Sequence, residues 1–348
     1  MHNLPGRSVY LSGYRKNMEL PAVSSAGSSL VFLSLHIPEE HDDSSAEDLT
    51  QLCSLLNERG FCILADIDPS TLLQFQVSSI MGLKQKLGLH GVRLDYGFSE
   101  EEIISAAAVM PVVLNASTTS QESAVKIAEA GTDVSAMHNF YPRPETGLDR
   151  EYLISSTRML KQCGLKVMAF IPGDNDKRGP LQEGLPTLEE HRPLPPSIGF
   201  IDLIKLGMDQ VFIGDPGISD AELSIMKAYA LQDVIQLPCI LDEAHAYLYH
   251  VKMHNRIDSP SWLIRAEESR QKDFPKHAVE QPYHPAERTR GSITIDNHSY
   301  GRYEHEIQLL RKDFPADARV NVIGHVEEKH IGLLDLVERG EAFELIPA

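Results

Sequence analysis

Two aspartates each close a short apolar run, Phe61-Cys62-Ile63-Leu64-Ala65-Asp66 and Gly91-Val92-Arg93-Leu94-Asp95. If the runs are neighbouring parallel strands, Asp66 and Asp95 project from the same sheet end within side-chain reach of each other. Carboxylates held about 5–10 Å apart are what glycoside hydrolysis needs, one protonated to donate to the leaving oxygen and one ionised as nucleophile, base or stabiliser. Crowding two like charges is expected to raise one of the two pKa values and so create the acid. Asp215, after Val211-Phe212-Ile213-Gly214, is a third carboxylate of this kind and the reserve for either. Other polar residues ending apolar runs are His36, Arg93, Asn115, His138, Asn139 and Tyr141; Asn115, His138 and Asn139 are expected to assist at the substrate. Ser12, Asp68 and Asp174 read as helix caps or turn residues.

With 32 Lys and Arg against 50 Asp and Glu, the net charge is -18, which disfavours nucleic acid and anionic membranes as partners. An anionic small molecule would need local cations. The candidates are Arg143 and Arg178 in loops, with Arg290 and Arg302 from the C-terminal region. Two segments look too particular for scaffolding. His138-Asn139-Phe140-Tyr141-Pro142-Arg143 combines amide, aromatic and guanidinium groups suited to a sugar. Gly173 to Arg192, which contains Glu183, is too long for an ordinary strand–helix loop and reads as an ordered lid. No HxH, HExxH or GxSxG pattern is present, so no metal and no cofactor is expected. A metal-dependent phosphosugar isomerase or aldolase using His36, His138 and the strand-end aspartates is the alternative enzyme. A non-catalytic phosphosugar-binding protein is the alternative outside enzymes. Cys53, Cys62, Cys163 and Cys239 show no paired spacing and read as reduced core residues, consistent with a cytoplasmic protein.

The elements that must position these groups form a repeat. Eight strand candidates, Ser8–Leu11, Leu30–His36, Phe61–Asp66, Gly91–Asp95, Val112–Asn115, Val134–Phe140, Val167–Ile171 and Val211–Gly214, alternate with helical stripes. Ser44-Ser45-Ala46-Glu47 and Ser99 with Glu100, Glu101 and Glu102 read as helix starts, the first as a capping box. Several strands are continuously apolar, as buried parallel strands are. Eight such units in about 230 residues predict a (β/α)8 barrel, with its active site at the C-terminal ends of the strands. The first strand–helix turn carries no GxGxxG, so dinucleotide binding has no support. In a chain of 348 residues this leaves room for a second domain. After Gln232 the alternation stops, and Ser292–Ile295, Glu306–Leu309 and Val320–Ile323 read as strands; Gln271–Arg290, with Pro275, Pro282 and Pro285, reads as a long loop. The division expected is a barrel over 1–232 and a small, mostly β barrel over 233–348.

The runs Ser8-Val9-Tyr10-Leu11-Ser12, Ala65-Asp66-Ile67-Asp68-Pro69, Arg93-Leu94-Asp95-Tyr96-Gly97-Phe98, Asn115-Ala116-Ser117-Thr118, His138 to Arg143, and Arg178-Gly179-Pro180-Leu181 to His191-Arg192 resemble the 6-phospho-N-acetylmuramidase family. The likeness continues through Arg290 to Asn297 and Tyr300-Gly301-Arg302-Tyr303, which look like that family's cyclophilin-like C-terminal barrel. The resemblance implies an intracellular glycosidase of peptidoglycan recycling that cleaves MurNAc 6-phosphate from GlcNAc. Its substrate would be a phosphorylated amino-sugar disaccharide.

Overall fold

The computed structural model describes residues 2–16, 29–37, 42, 44–131, 133–276, 280–283 and 286–348. They divide into two compact units, His2–Leu223 and Ser224–Ala348. In the first, eight parallel strands close into a barrel in sequence order: β1 Gly6–Val9, β2 Leu30–Ser34, β3 Cys62–Ile67, β4 Gly91–Leu94, β5 Val112–Asn115, β6 Val134–Met137, β7 Lys166–Ile171 and β8 Gln210–Ile213. Each predicted strand is present. The ends differ by a few residues, most at β6, which stops at Met137 rather than Phe140.

Strand alternation decides what fills the barrel. Phe32, Leu64, Val113, Met137, Phe170 and Phe212 pack together as its core, with the Phe32 and Phe170 rings edge-on at 5.1 Å. Ring pairs in this geometry gain beyond their buried area. Gly6 opposes this layer because a Cβ there would lie 2.6 Å from the Phe212 ring. Two residues farther along each strand, the same inward face meets the barrel mouth. Register pairs Phe32 with Leu64 and then Ser34 with Asp66, Asp66 with Arg93, Arg93 with Val113, and Asn115 with Met137. Polar residues at the C-terminal ends of β2 to β5 therefore face one space.

The helices between strands start much as their sequences suggest. Ser99 and Glu102 form a reciprocal cap on helix Glu100–Ala107. Asp68 caps helix Pro69–Gln74 by accepting from the Thr71 amide, as a turn residue should. Helix Ser45–Glu58 departs from expectation, because Ser44 has helical backbone and its hydroxyl bonds Asp42 and Asp48 instead of capping. The segment after β1 also differs: Leu11–Arg15 is a short helix, so Ser12 lies inside it. Cys53 and Cys239 are buried, Cys62 and Cys163 partly so, and all four are free thiols.

The second unit is a seven-stranded mixed sheet of β9 Val234–Leu241, β10 Lys252–His254, β11 Leu263–Arg265, β12 Ser292–Asp296, β13 Ile307–Leu310, β14 Val320–Val326 and β15 Ala342–Pro347, in the order β10-β15-β9-β14-β12-β13-β11. Only the β15–β9 pair is parallel. A bridge between Asn255 and Ala266 joins the two edge strands and nearly closes the sheet. Among the described residues, Gln271–Arg290 contains no helix or strand; residues 277–279 and 284–285 of that predicted loop lie outside the described set.

Candidate active site

Asp66, Arg93, Asp95, Asn115, Asn139 and His36 meet at the barrel mouth in one connected ring. Arg93 Nη1 donates to Asp66 Oδ1 at 2.5 Å, and Ser34 Oγ donates to Asp66 Oδ2 at 3.4 Å. Arg93 Nη2 donates to Asn139 Oδ1 and stands 3.9 Å from Asp95 Oδ1. Asn115 Nδ2 donates to Asp95 Oδ1 at 2.9 Å, its own oxygen being fixed by the Ser117 amide at 3.0 Å. His36 closes the ring: its Nε2 lies 3.8 Å from Asp66 Oδ2 and 3.7 Å from Asp95 Oδ2. Oxygens of Asp66 and Asp95 that share one neighbour so closely fall within the roughly 9.5 Å upper limit for carboxylate pairs in glycosidases.

The electrostatics of the ring differ from the expected crowding of two acids. The His36 ring is the strongest influence on Asp95; burial opposes it, the Arg93 charge and the Asn115 amide add to it, and the carboxyl is lowered to about 2. The expected upward shift does not occur at Asp95, because cationic and donor groups stand between the acids. At His36, burial works against the charged ring, but Asp95, Asp66 and Asp68 together outweigh it and raise the imidazole above its ordinary value. Asp95 keeps 20% of its side chain accessible against 9% for Asp66, so Asp95 is the carboxylate a substrate reaches more easily.

Of the residues expected to act or assist in catalysis, His138 and Asp215 do not join the ring. His138 follows the inward-facing Met137 and so points outward, where it is fully buried with Nε2 3.1 Å from Thr157 Oγ1 on helix Arg150–Gln162. Burial lowers its pKa to about 4, which keeps it a neutral core residue and takes it out of any substrate or metal role at the mouth. Asp215 is also turned away. Its Oδ2 accepts from the Gly173 and Leu185 amides at 2.9 and 3.1 Å, and its Oδ1 from the Arg178 amide at 2.9 Å. It anchors the long excursion instead of standing free as a reserve acid. Burial raises its pKa, against the pull of those three amides.

The excursion is ordered and runs across the barrel end. Its Gly184–Leu188 stretch is buried: the Thr187 amide donates to the Phe170 carbonyl, the Tyr141 amide to the Pro186 carbonyl, and Leu188 bridges Leu148. Close backbone approach requires glycine here, since a Cβ on Gly173 would meet the Gly217 carbonyl at 2.0 Å. Arg192 ties the two loops by donating to the carbonyls of Tyr141, Arg143 and Gly184. Residues Asp174 to Gly179, with Ser12, Gly13, Lys16, Gln182 and Pro216, line an open cleft of about 650 Å³. In it the Arg178 guanidinium lies 4.8 Å from the Tyr10 ring and 5.8 Å from the Phe140 ring. Among the described residues, Lys16, Lys177 and Arg178 form no ion pair, whereas the cleft's Asp174 is engaged by Ser219.

The remaining predicted contacts are dispersed. Tyr141 is half-buried, and Arg143 and Glu183 are exposed, contributing only backbone carbonyls to the Arg192 clamp. In the second unit, Arg290 is committed to Asp335 at 2.6 Å and to the Arg311 carbonyl at 2.8 Å, while Arg302 stacks on Tyr303 at 4.9 Å. Arg290 is thus a structural ion pair within its own unit. Glu190, His191 and Asp202 have metal-ligand spacing, but a cation already sits there: Arg150 bonds both Glu190 and Asp202. Nothing in the sequence marks Lys16 or Lys177 as a ligand contact, and His36 stands there only as a strand-end residue and candidate metal ligand. The order of inward and outward residues along β2 was the signal that could have brought His36 to the ring.

Two family models match the chain, the N-terminal region of 6-phospho-N-acetylmuramidase over residues 5–228 and its C-terminal region over residues 235–346. Among solved structures, a conserved protein of unknown function from Enterococcus faecalis is 31% identical, with 99% of this chain and 96% of that chain covered and a TM-score of 0.82. An uncharacterized B. cereus protein is 26% identical over 99% of this chain and 100% of its own, with a TM-score of 0.79. No curated protein matches the chain.

Proposed function

This chain belongs to the 6-phospho-N-acetylmuramidase family, and from that premise we propose that it is a glycosidase that cleaves the β-1,4 bond between MurNAc 6-phosphate and GlcNAc. The observation that carries the reading is the mouth ring, in which an ionised, partly accessible Asp95 stands beside a clamped Asp66. Asp95 would serve as nucleophile, or would steer the substrate's own acetamido oxygen onto the anomeric carbon, a route known among amino-sugar hydrolases. Asp66, held by Arg93, would supply fixed negative potential toward the oxocarbenium charge that develops at C1. Asn115 and Asn139 are in reach of acetamido or hydroxyl groups.

The cleft with Lys16, Lys177 and Arg178 supports a phosphorylated substrate, because this strongly acidic chain offers here three cations outside ion pairs among the described residues. A guanidinium backed by two aromatic rings is oriented for bidentate contact with phosphate or carboxylate. On this reading the enzyme works in the cytoplasm on imported phosphosugar disaccharides, in peptidoglycan recycling. No helix among the described residues is long and apolar enough to cross a membrane. The metal-dependent alternative loses support because His138 lies outside the mouth.

Incubating the purified protein with MurNAc-6-phosphate-GlcNAc and with its unphosphorylated counterpart, each with and without chelator, tests the reading by product mass. Cleavage of the phosphorylated disaccharide that survives chelator is expected. Arg178→Met should raise KM for that substrate far more than for the unphosphorylated one. No cleavage of either, or equal effects of Arg178→Met on both, would contradict the reading.

A further inference from the structure

Cleaving a sugar–sugar bond expels an alkoxide, so a proton must reach the leaving oxygen in the transition state. Neither mouth carboxylate is arranged to carry it. Both Asp66 oxygens are taken up as acceptors, one by the Arg93 guanidinium and one by the Ser34 hydroxyl, while Asp95 accepts from the Asn115 amide and is held down to about 2, chiefly by the His36 ring. Asp215 is turned into the excursion with three backbone amides on its two oxygens.

His36 is built differently. Its Nδ1 lies 3.2 Å from the Asp66 carbonyl oxygen, which can only accept, so Nδ1 carries a hydrogen in both protonation states. Nε2 is then the atom that gains and loses a proton, and it is the atom that faces Asp66 and Asp95. The side chain keeps 16% accessibility, so the ring is not sealed from solvent.

We propose that His36 is the proton donor of this glycosidase, delivering the Nε2 proton to the leaving oxygen. The inference rests on the glycosidase reading above and deepens it. In the first half-reaction the C1–O4 bond breaks with its electron pair on O4, O4 takes the Nε2 proton, and C1 bonds to the Asp95 carboxylate or the acetamido oxygen. In the second, water forms the C1–O bond, releases that oxygen, and returns a proton to Nε2. The net change is addition of one water. The charged groups around His36 are Asp66 near the end of β3, Asp68 just past it and Asp95 after β4, while Arg93 is engaged with Asp66 and lies 3.9 Å from Asp95. Burial disfavours the charged ring, but these carboxylates outweigh it and shift the imidazole upward, the direction a proton donor requires.

The test compares two leaving groups. MurNAc-6-phosphate-GlcNAc needs a proton on departure, whereas the 2,4-dinitrophenyl β-glycoside of MurNAc 6-phosphate does not. His36→Gln should lower kcat/KM on the disaccharide by at least about 10²-fold and on the aryl glycoside by less than about tenfold. Wild-type activity on the disaccharide should fall at alkaline pH through a basic limb that the aryl glycoside lacks, a comparison that needs no variant. Equal losses on both substrates, or identical wild-type pH profiles, overturn the role of His36 while leaving the glycosidase reading intact. Wild-type protein that cleaves neither substrate overturns that reading and the inference with it.

Discussion

Replacing Asp215 with asparagine should damage the excursion, not the chemistry. The residue is 1% exposed and accepts three backbone N–H groups, those of Gly173 and Leu185 buried and that of Arg178 partly so. Asparagine keeps one acceptor oxygen and presents an NH2 group to at least one of those amides. A buried donor left unpaired costs about 1–3 kcal/mol, and loss of charge assistance at the remaining bonds adds to it, so about 3 kcal/mol is expected. For a unit the size of His2–Leu223 each kcal/mol is worth roughly 2–4 °C, which predicts a Tm lower by roughly 6–12 °C. Trypsin should then cut after the exposed Lys177 or the adjoining Arg178 much faster than in the wild type, and KM should rise more than kcat falls. Calorimetry, timed digestion and steady-state kinetics read these three effects. A variant with wild-type Tm and digestion rate but a 10²-fold lower kcat would refute the anchoring role and make Asp215 a participant in the reaction.

Arg93→Gln leaves the Asp66 carboxylate buried without its cation and should cost about 3–5 kcal/mol in urea unfolding; a loss below about 1 kcal/mol would show that the pair is dispensable. His138, with its pKa lowered to about 4, is neutral in the folded chain where the unfolded chain would protonate it. Stability should therefore fall as pH drops from about 6.5 toward 4, by up to about 1.4 kcal/mol per pH unit. His138→Asn should flatten that slope, and matching urea midpoints across the range for both proteins would contradict the buried neutral ring.

How much of this was legible in the sequence turns on alternation along single strands. The apolar runs marked all eight barrel strands because parallel strands buried on both faces are continuously apolar. The same continuity hid which residues face inward, and only a core residue such as Phe32 or Met137 fixes the phase. Counting by twos from Phe32 brings Ser34 and His36 inward, from Leu64 Asp66, and from Val113 Asn115. The same count from Met137 sends His138 outward, and from Phe212 it sends Asp215 outward. A residue's position at a strand end was therefore readable, while its facing was not until the packed layer was known. In the second unit, β9 escaped notice because Pro238 interrupts an otherwise apolar run, and proline within a run ordinarily argues against a strand inside a sheet. Strands β10 and β11, of three residues each, are too short to carry a period.

The central claim, that the mouth ring hydrolyses a glycosidic bond with Asp95 as its working carboxylate, is tested most directly by turnover of MurNAc-6-phosphate-GlcNAc with Asp95→Asn. The amide preserves shape, so the protein should stay folded and bind substrate, with Tm lowered by the lost attraction between Asp95 and His36, while kcat falls by at least about 10²-fold. Wild-type turnover by a folded Asp95→Asn protein would contradict the account.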